Sequence, residues 1–306
     1  MKLLLTGGSG LLGGYLLREF ARRDCGVIAW SGPRSKTPAI GEVVPVDLAE
    51  RDAVAAAFAA ARPDVVLHAA AISSVAQCRE QPERARAVNV LGTQLLMELA
   101  AEAHARLVLV STDLVFDGAR GGYREDDAPS PLSFYGKTKL AAEGLVFGQP
   151  RAAVVRVSLL FGPSVNRRHG FFDEQLGCLR SGSPAPFFVD EWRTPLALST
   201  AAAALATLAV GEFEGLLHLG GPERMSRWEM GTRLAAHLQC DASACLPASR
   251  TEAPSSEAPR PEARPRDTSL DSSRWRALLP QHRWPTFEDA LNEMGLPPGS
   301  PRAMRA

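Results

Sequence analysis

Tyr135 and Lys139, four positions apart, are the pair in this sequence best suited to acid–base chemistry. The run from Phe134 to Phe147 has apolar residues at helical spacing, so both side chains are expected on one helix face. An ammonium group beside a phenol favours the phenolate and is expected to lower the pKa of the tyrosine towards neutrality. A tyrosine tuned in this way can donate and accept a proton at a reacting group.

Thr112 is a third polar side chain that could join this pair. It follows the apolar run Leu107 to Val110, which predicts a buried strand, so its hydroxyl is expected at a strand's carboxyl end. Ligands gather at such ends in open α/β sheets. A Tyr-x-x-x-Lys spacing also arises by chance, and an ordinary helical tyrosine beside a solvated lysine is the alternative interpretation. The surrounding elements decide between the two.

The first thirteen residues contain an element that can hold a phosphate. The apolar run Lys2 to Leu5 leads into glycines three apart, and a helical pattern follows from Leu16 to Phe20. In a strand, glycine turn and helix, the backbone approaches a pyrophosphate whose charge faces the helix N-terminus. The expected cofactor contacts are Gly7, Ser9, Gly10, Leu11, Leu12 and Gly13.

The next two strands are expected to reach the adenosine half of a dinucleotide. No acidic residue follows Val27 to Trp30, where one would bind the 2′-hydroxyl of NAD. Ser31 and Arg34 follow instead, and a hydroxyl with a cation suits a 2′-phosphate, which favours NADP(H) over NAD(H). A merely solvated loop is the alternative. Asp47 and Leu48, at the end of the third strand, are expected near the adenine amino group.

Three further sets of residues are expected near the cofactor: small residues after the fourth strand, an asparagine in a long helix, and the serine before Thr112. The fourth strand, Asp64 to His68, ends in small residues that let a cofactor lie close to the backbone. A long helical stretch, Pro82 to His104, carries an asparagine that we interpret as a buried amide rather than a surface one. The residues assigned in this way are Ala69, Ala70, Ala71, Asn89 and Ser111.

The alternation of strands and helices predicts a doubly wound parallel α/β sheet of the Rossmann type over residues 1–162. The pattern then changes, and residues 163–296 predict mainly a small mixed α/β substrate lobe, from which some segments return to the sheet. A strand at Leu216 to Leu219 is counted with the lobe. Residues 247–266, rich in Pro, Ser, Glu and Arg, predict an exposed insertion, and residues 297–306 predict a flexible tail.

The composition excludes several functional classes. The 306 residues, 45% of them hydrophobic, are enough for a large core and a second domain. Basic and acidic residues balance at 34 each, so no overall field recruits nucleic acid or an acidic membrane. Five cysteines without a Cys-x-x-Cys pair predict neither disulfides nor a structural zinc site. The balanced charge makes a small molecule the expected partner. The short apolar N-terminus predicts no signal peptide and therefore a cytoplasmic protein. A monomer or homodimer is expected.

The glycine turn, Ser111-Thr112-Asp113 and the Tyr-x-x-x-Lys pair together resemble an extended short-chain dehydrogenase/reductase. Longer strings are similar to its dTDP-4-dehydrorhamnose reductase branch, and they run from Ser111 to Gly118, Tyr135 to Glu143, Asp190 to Pro195 and Arg264 to Asp271. The resemblance covers the chain except the insertion and the tail. It departs from the branch at 159–161, where an aromatic string is replaced, and at Glu191-Trp192-Arg193, which replaces Gln-x-Gly. The identity of the sugar therefore stays open.

The resemblance implies NADPH-dependent reduction of a 4-keto nucleotide-sugar. Tyr135 would protonate the keto oxygen, Lys139 would hold the nicotinamide ribose, and Thr112 would bond the same oxygen. Sugar contacts are implied at Asp113, Phe116 and Arg193.

Two other functions stay open at this point. Dehydratases of this superfamily use an Asp-Glu pair after the threonine, and here Leu114 follows Asp113, so dehydration is disfavoured while 4-epimerisation is not. A non-catalytic, NADP-binding regulatory subunit is the second, because the beta subunit of methionine adenosyltransferase resembles the same branch. The intact Thr112, Tyr135 and Lys139 favour chemistry.

Overall fold

The computed structural model describes residues 1–23, 25–33, 41, 43–166, 169–250 and 264–296. The strands in this part of the chain are β1 Leu3–Thr6, β2 Val27–Ser31, β3 Val43–Pro45, β4 Val65–His68, β5 Arg106–Thr112, β6 Ala152–Val157, β7 Leu160–Phe161, β8 Ala185–Phe188, β9 Trp192–Arg193, β10 Leu196–Ala197, β11 Gly215–Leu219, β12 Met225–Ser226 and β13 Cys245–Ala248.

Seven of these strands form one parallel sheet in the order β11-β6-β5-β4-β1-β2-β3. The chain winds from β1 to β3 in one direction and from β4 to β11 in the other, so the winding reverses between β1 and β4. Thr6 at the end of β1 is in register with His68 at the end of β4. A reversal of this kind opens a crevice at the carboxyl ends of the strands. The predicted doubly wound α/β fold is confirmed.

Helices cover both faces of the sheet. They are α1 Leu11–Arg22, α2 Arg51–Ala61, α3 Val75–Glu80, α4 Pro82–Arg86, α5 Gly92–Glu102, α6 Phe134–Val146, α7 Phe171–Ser181, α8 Leu198–Val210, α9 Arg227–Leu238, α10 Ser273–Leu278 and α11 Phe287–Glu293. Successive strand residues point to opposite faces. Leu5 thus joins the core formed with α1 and α8, and Leu4 joins the core formed with α2, α5 and α6.

The predicted helical stretch from Pro82 to His104 is continuous but changes its winding in the middle. Ala87–Leu91 is a turn of π-helix between α4 and α5, and it carries Asn89. Such turns often occur at functional sites, because the wider winding displaces a side chain from its regular helical position.

A smaller lobe with its own core lies over the carboxyl edge of the sheet. Its core combines aromatic and aliphatic side chains from α7, α9, α11, β8 and β13, among them Phe172, Phe187, Met230, Cys245 and Phe287. In the described part of the chain, no helix is both long and apolar enough to cross a membrane.

The strand that the sequence assigned to the lobe belongs to the main sheet. Its residues form β11, which pairs with β6 and completes one edge, with Leu217 opposite Val155. The apolar pattern predicts a buried strand correctly, but periodicity does not identify the strand that pairs with it.

The predicted insertion is shorter than its composition indicates. Pro247 and Ala248 lie in β13, where they pair with Phe187 and Phe188 of β8. At its other end, the Arg266 carbonyl accepts from the Trp192 amide at 2.7 Å, so the chain is again bound to the lobe. Residues 251–263 lie outside the described part of the chain.

Candidate active site

A cavity of about 1540 Å³ opens at the carboxyl ends of the strands, with the lobe as its second wall. Eighteen of the predicted site residues line it: Gly7, Ser9, Gly10, Leu11, Leu12, Gly13, Ser31, Asp47, Leu48, Ala69, Ala70, Ala71, Ser111, Thr112, Asp113, Tyr135, Lys139 and Arg193. Asn89 and Phe116 do not line it. Arg34 lies outside the described residues.

The glycine turn has a shape that side chains would destroy. Gly7 has a φ of 79°, in the left-handed region, and its carbonyl accepts from the Gly10 amide at 2.8 Å. A Cβ added at Gly13 would lie 2.1 Å from that carbonyl oxygen. Gly10 is the N-cap of α1 and has no side chain to bond the first-turn amides, which lack acceptors within the helix. These amides face the cavity, so the turn fits a pyrophosphate.

Helix α6 is held close to the end of β5 by its own sequence. Ser133 caps the helix by accepting from the Gly136 amide at 3.0 Å. A Cβ at Gly136 would lie 2.3 Å from the Leu114 carbonyl oxygen, so only glycine permits this approach. The contact buries the helix face that carries Tyr135 and Lys139, which are 8% and 2% exposed.

The predicted lowering of the tyrosine pKa is wrong for this state of the site. Burial raises the pKa of Tyr135 well above its ordinary value, with Thr112 opposing the shift and Asp113 adding to it. Burial also lowers the pKa of Lys139 to about 8, against the opposing charge of Glu143. The Lys139 charge does not enter the pKa of Tyr135, so it does not offset the cost of burying a phenolate. Tyr135 is therefore held in its protonated form.

Thr112 and Asp113 form a polar group beside Tyr135. The Thr112 hydroxyl donates to Asp113 Oδ1 at 3.2 Å and accepts from the Leu114 amide at 3.2 Å. Thr268 donates to Asp113 Oδ2 at 2.9 Å, and Arg193 Nε lies 3.5 Å from the same oxygen. Burial raises the pKa of Asp113, while Arg193 and the hydroxyl donors oppose it. The strand end is thereby tied to both walls of the cavity.

The lobe contributes a cluster of charged side chains that sequence reasoning did not assign to the site. Glu191 is 2% exposed, and its carboxylate lies 3.2 Å from Arg264 Nη1 and 3.7 Å from Arg227 Nε. All three line the cavity together with Arg193. Three guanidinium groups against Glu191 and Asp113 give this wall an excess positive charge suited to a phosphate-bearing ligand.

Asn89 does not contact the cavity but organises one of its walls. Its side-chain amide donates to the Ile72 carbonyl at 3.1 Å and accepts from the Ile72 amide at 2.8 Å. Asn89 Nδ2 also donates to Thr138 Oγ1 at 3.0 Å, and Thr138 donates to the Tyr135 carbonyl at 2.8 Å. The prediction of a buried amide is confirmed, and in this structure the amide bonds Ile72 and Thr138 and does not line the cavity.

A buried histidine joins the glycine turn to the same wall. His68 Nδ1 lies 2.7 Å from Thr6 Oγ1, and its Nε2 lies 2.9 Å from Thr93 Oγ1. The Thr93 proton goes to the Asn89 carbonyl at 2.8 Å, so His68 Nε2 must be the donor to Thr93. Thr6 accepts from the Ala70 amide and donates to Nδ1. Burial lowers the pKa of His68 to about 3, in agreement with a neutral ring.

Phe116 is a core residue, and the implied sugar contact is wrong. Its side chain is fully buried and stacks on Tyr123 with ring centroids 4.1 Å apart. The ring belongs to a small cluster with Val115 and Leu270. An aromatic residue near an active-site strand has the same sequence signature in either role, so spacing alone does not distinguish them.

Two further residues support the cofactor wall without a local sequence signal. Asn166 Nδ2 donates to the carbonyls of Ser9 and Gly10 at 2.9 and 2.5 Å. Arg84 Nη2 lies 2.7 Å from both carboxylate oxygens of Asp47, which fixes that side chain in the cavity wall. Each contact joins segments far apart in the chain, which a reading of neighbouring residues does not detect.

Comparisons with known proteins agree with this geometry. The chain matches the RmlD substrate binding domain family over residues 1–295. Methionine adenosyltransferase 2 subunit beta of Xenopus tropicalis is 31% identical over 270 residues, which is 84% of this chain and 78% of that protein. A hypothetical dTDP-4-dehydrorhamnose reductase from Sulfolobus tokodaii superimposes with a TM-score of 0.81 at 28% identity, covering 94% of this chain and 97% of that one. MoeE5, solved with UDP-glucose and NAD, gives a TM-score of 0.76 at 25% identity, covering 97% and 98%.

Proposed function

The chain belongs to the RmlD substrate binding domain family, and we propose that it is an NADPH-dependent reductase of a 4-keto nucleotide-sugar. The observation that carries the proposal is the single cavity lined by Thr112, Tyr135, Lys139 and the turn Gly7 to Gly13. A proton donor, a cation and a phosphate cradle in one cavity match the needs of hydride transfer to a ketone.

Tyr135 acts as the proton donor in this mechanism. Burial keeps its phenol protonated, so the proton is available for a keto oxygen on which negative charge develops. Thr112 donates a second hydrogen bond to that oxygen, after giving up its bond to Asp113. Lys139, with its side chain in the cavity wall, would hold the nicotinamide ribose. NADPH, when bound, supplies the hydride.

NADP(H) is the proposed cofactor, with NAD(H) as the weaker ligand. Support comes from Ser31 in the cavity wall and from the absence of a carboxylate in the described residues Trp30 to Pro33. MoeE5, of similar fold, was solved with NAD, so the fold itself does not exclude NAD. Charge-assisted bonds to a 2′-phosphate contribute ~1.5–3 kcal/mol, which is about tenfold or more in affinity. Titration of the apo protein with both cofactors tests this, and equal affinities contradict it.

The substrate class follows from the charged wall of the lobe. Arg193, Arg227 and Arg264 suit the phosphates of a nucleotide-sugar. The similar protein from Sulfolobus tokodaii is named as a reductase of a dTDP-sugar, and MoeE5 was solved with UDP-glucose. The apolar Leu159 and Leu160 form the wall next to the implied sugar site, in place of the aromatic string of the reductase branch.

Tyr135→Phe is the decisive variant. Removal of the hydroxyl keeps the ring packing and eliminates only the proton donor, so turnover is expected to fall by at least ~10²–10⁴. NADPH affinity is expected to remain, because the glycine turn and Lys139 are untouched. The measurements are NADPH oxidation with a panel of 4-keto nucleotide-sugars and a binding titration of the same preparation. A variant that turns over at the wild-type rate contradicts the mechanism.

A regulatory subunit is the second candidate, favoured by the 31% identity to methionine adenosyltransferase 2 subunit beta. In that role the protein would bind NADP(H) but would not oxidise NADPH with any sugar of the panel. Conversion between 4-epimers without net NADPH oxidation would instead identify an epimerase. The wild-type assay therefore separates the three functions before any variant is made.

A further inference from the structure

A buried ion pair lies directly beneath the proposed catalytic groups and takes no part in the mechanism above. Glu143 and Arg156 are each 4% exposed. Glu143 follows Lys139 by four positions, as Lys139 follows Tyr135, so all three side chains lie along one buried face of α6. Burying two charges costs a large desolvation free energy, which calls for a specific reason to keep them.

Three elements meet at the Glu143 carboxylate. Arg156, in β6, donates from Nε to Oε1 at 3.0 Å and from Nη2 to Oε2 at 2.7 Å. Ser111, in β5, donates to Oε1 at 2.5 Å and immediately precedes Thr112. One carboxylate thus connects the helix that carries Tyr135 and Lys139 with the strand that carries Thr112.

Arg156 is itself fixed on its far side. Its Nη1 lies 3.3 Å from His218 Nε2, and because a guanidinium can only donate, that nitrogen is the acceptor. His218 Nδ1 then donates to the Tyr123 carbonyl at 3.0 Å. The guanidinium also lies over the Phe116 ring, 5.0 Å from its centroid. The Arg156 guanidinium is therefore held on both sides, and it holds the Glu143 carboxylate in turn.

We propose that Glu143, held by Ser111 and Arg156, is a positioning residue that fixes helix α6 against β5 and keeps the Lys139 side chain protonated in the buried wall of the cavity. The inference rests on the proposed function in giving Lys139 a cofactor to hold. Its test measures the charge of Lys139 directly and needs no sugar substrate.

The charges around Lys139 support this role. Burial lowers the pKa of Lys139, and the Glu143 charge is the influence that raises it. Two other neighbours contribute no further shift: Asp113 is paired with Arg193, and His68 is a neutral ring. The buried titratable and charged groups on the elements around Lys139 include Tyr135 and Glu143 on α6, His68 on β4, Asp113 after β5, Arg156 on β6 and Cys78 on α3.

The experiment is an NMR titration of the whole protein labelled with ¹³C at the lysine ε-carbon. The chain has four lysines, Lys2, Lys36, Lys137 and Lys139, so the signals can be assigned with a Lys139→Met variant. In the wild type, Lys139 is expected to titrate at about pH 8. In Glu143→Gln the midpoint is expected to fall by about one pH unit or more, and the alkaline limb of NADPH binding is expected to move with it.

Glu98→Gln is the matched control, because Glu98 pairs with Arg51 on the surface and should leave Lys139 unchanged. If Glu143→Gln does not fold, the double variant with Arg156→Gln removes both buried charges and leaves none unpaired. Its Lys139 midpoint is also expected below that of the wild type. An unchanged midpoint in either folded variant overturns the proposal, as does a wild-type midpoint below about pH 7, which would mean that the carboxylate does not hold the charge.

Discussion

Burial determines which protons are available in the cavity. Tyr135 and Lys139 have shifted pKa values for the same reason, since loss of water penalises the phenolate of one and the ammonium of the other. Their four-residue spacing was visible in the sequence, whereas the depth of burial depends on the close contact between Gly136 and Leu114. The residue pattern therefore predicts that the two side chains share one wall of the cavity, but not the direction in which the tyrosine pKa moves.

Lys139 should make the stability of the protein depend on alkaline pH. Its pKa falls from 10.5 in the unfolded chain to about 8 in the folded one, so between these values the unfolded state binds more protons. The free energy of unfolding then rises with pH across this window, by about 3 kcal/mol from this residue. In Lys139→Met this contribution should be absent. Denaturant unfolding of both proteins at about pH 7 and about pH 10 measures the difference.

The wild type alone contains other groups that titrate in this range, so the comparison with Lys139→Met is the relevant quantity. The free energy of unfolding of Lys139→Met should exceed that of the wild type most at neutral pH, and this difference should shrink as the pH rises. An advantage independent of pH would show that Lys139 is not held at a lowered pKa.

Elements with a strong apolar period were predicted closely. The helix expected from Phe134 to Phe147 is observed as Phe134–Val146, and the strand expected from Leu216 to Leu219 as Gly215–Leu219. The π-helical turn Ala87–Leu91 was not predicted, because an apolar period near 3.6 does not reveal one wider turn. Asn89, which was predicted to contact the cofactor, consequently bonds Ile72 and Thr138 and supports the cavity wall.

The glycine turn gives a prediction at this scale. A methyl group at position 13 would lie 2.1 Å from the Gly7 carbonyl, so Gly13→Ala must displace either the turn or the start of α1. The affinity for NADPH is expected to fall more than about tenfold, since the amides no longer converge on the phosphate. Fluorescence titration with NADPH measures the effect.

Gly144→Ala is the matched control for this substitution. Gly144 lies in α6, and an added Cβ there would meet nothing within 4 Å. Alanine in an open helical position should stabilise the protein by about 0.5–1 kcal/mol and leave the affinity unchanged. Equal loss of affinity in both variants would contradict the proposed role of the turn.

The whole molecule depends on contacts that cross between the sheet and the lobe. The segment after β7 supplies Asn166, whose amide holds the carbonyls of Ser9 and Gly10 at the cofactor turn. The lobe also supplies Arg193 and Glu191 to the cavity. The sequence predicts two structural units, but it does not predict these contacts, because their partners are separated by most of the chain.

Asn166→Ala should loosen the cofactor turn from a distance. Two hydrogen bonds are lost, each contributing about 0.5–1.5 kcal/mol, so NADPH affinity is expected to fall roughly tenfold. The thermal stabilisation that saturating NADPH gives the wild type should shrink accordingly. Asn292→Ala, at an exposed position of α11, serves as the control. If Asn166→Ala and Asn292→Ala bind NADPH equally well, the cofactor turn does not depend on the hydrogen bonds from Asn166.

The position of β11 late in the chain affects how the protein can fold during its synthesis on the ribosome. When residue 162 leaves the exit tunnel, β6 is still an open edge, and α8, which covers one face of the sheet with Leu205 and Leu208, has not been synthesised. An open parallel edge over an uncovered apolar face is prone to aggregation. The sheet edge at β6 therefore stays open until Gly215–Leu219 has been synthesised, and a fragment that stops at residue 162 should not accumulate as a folded domain.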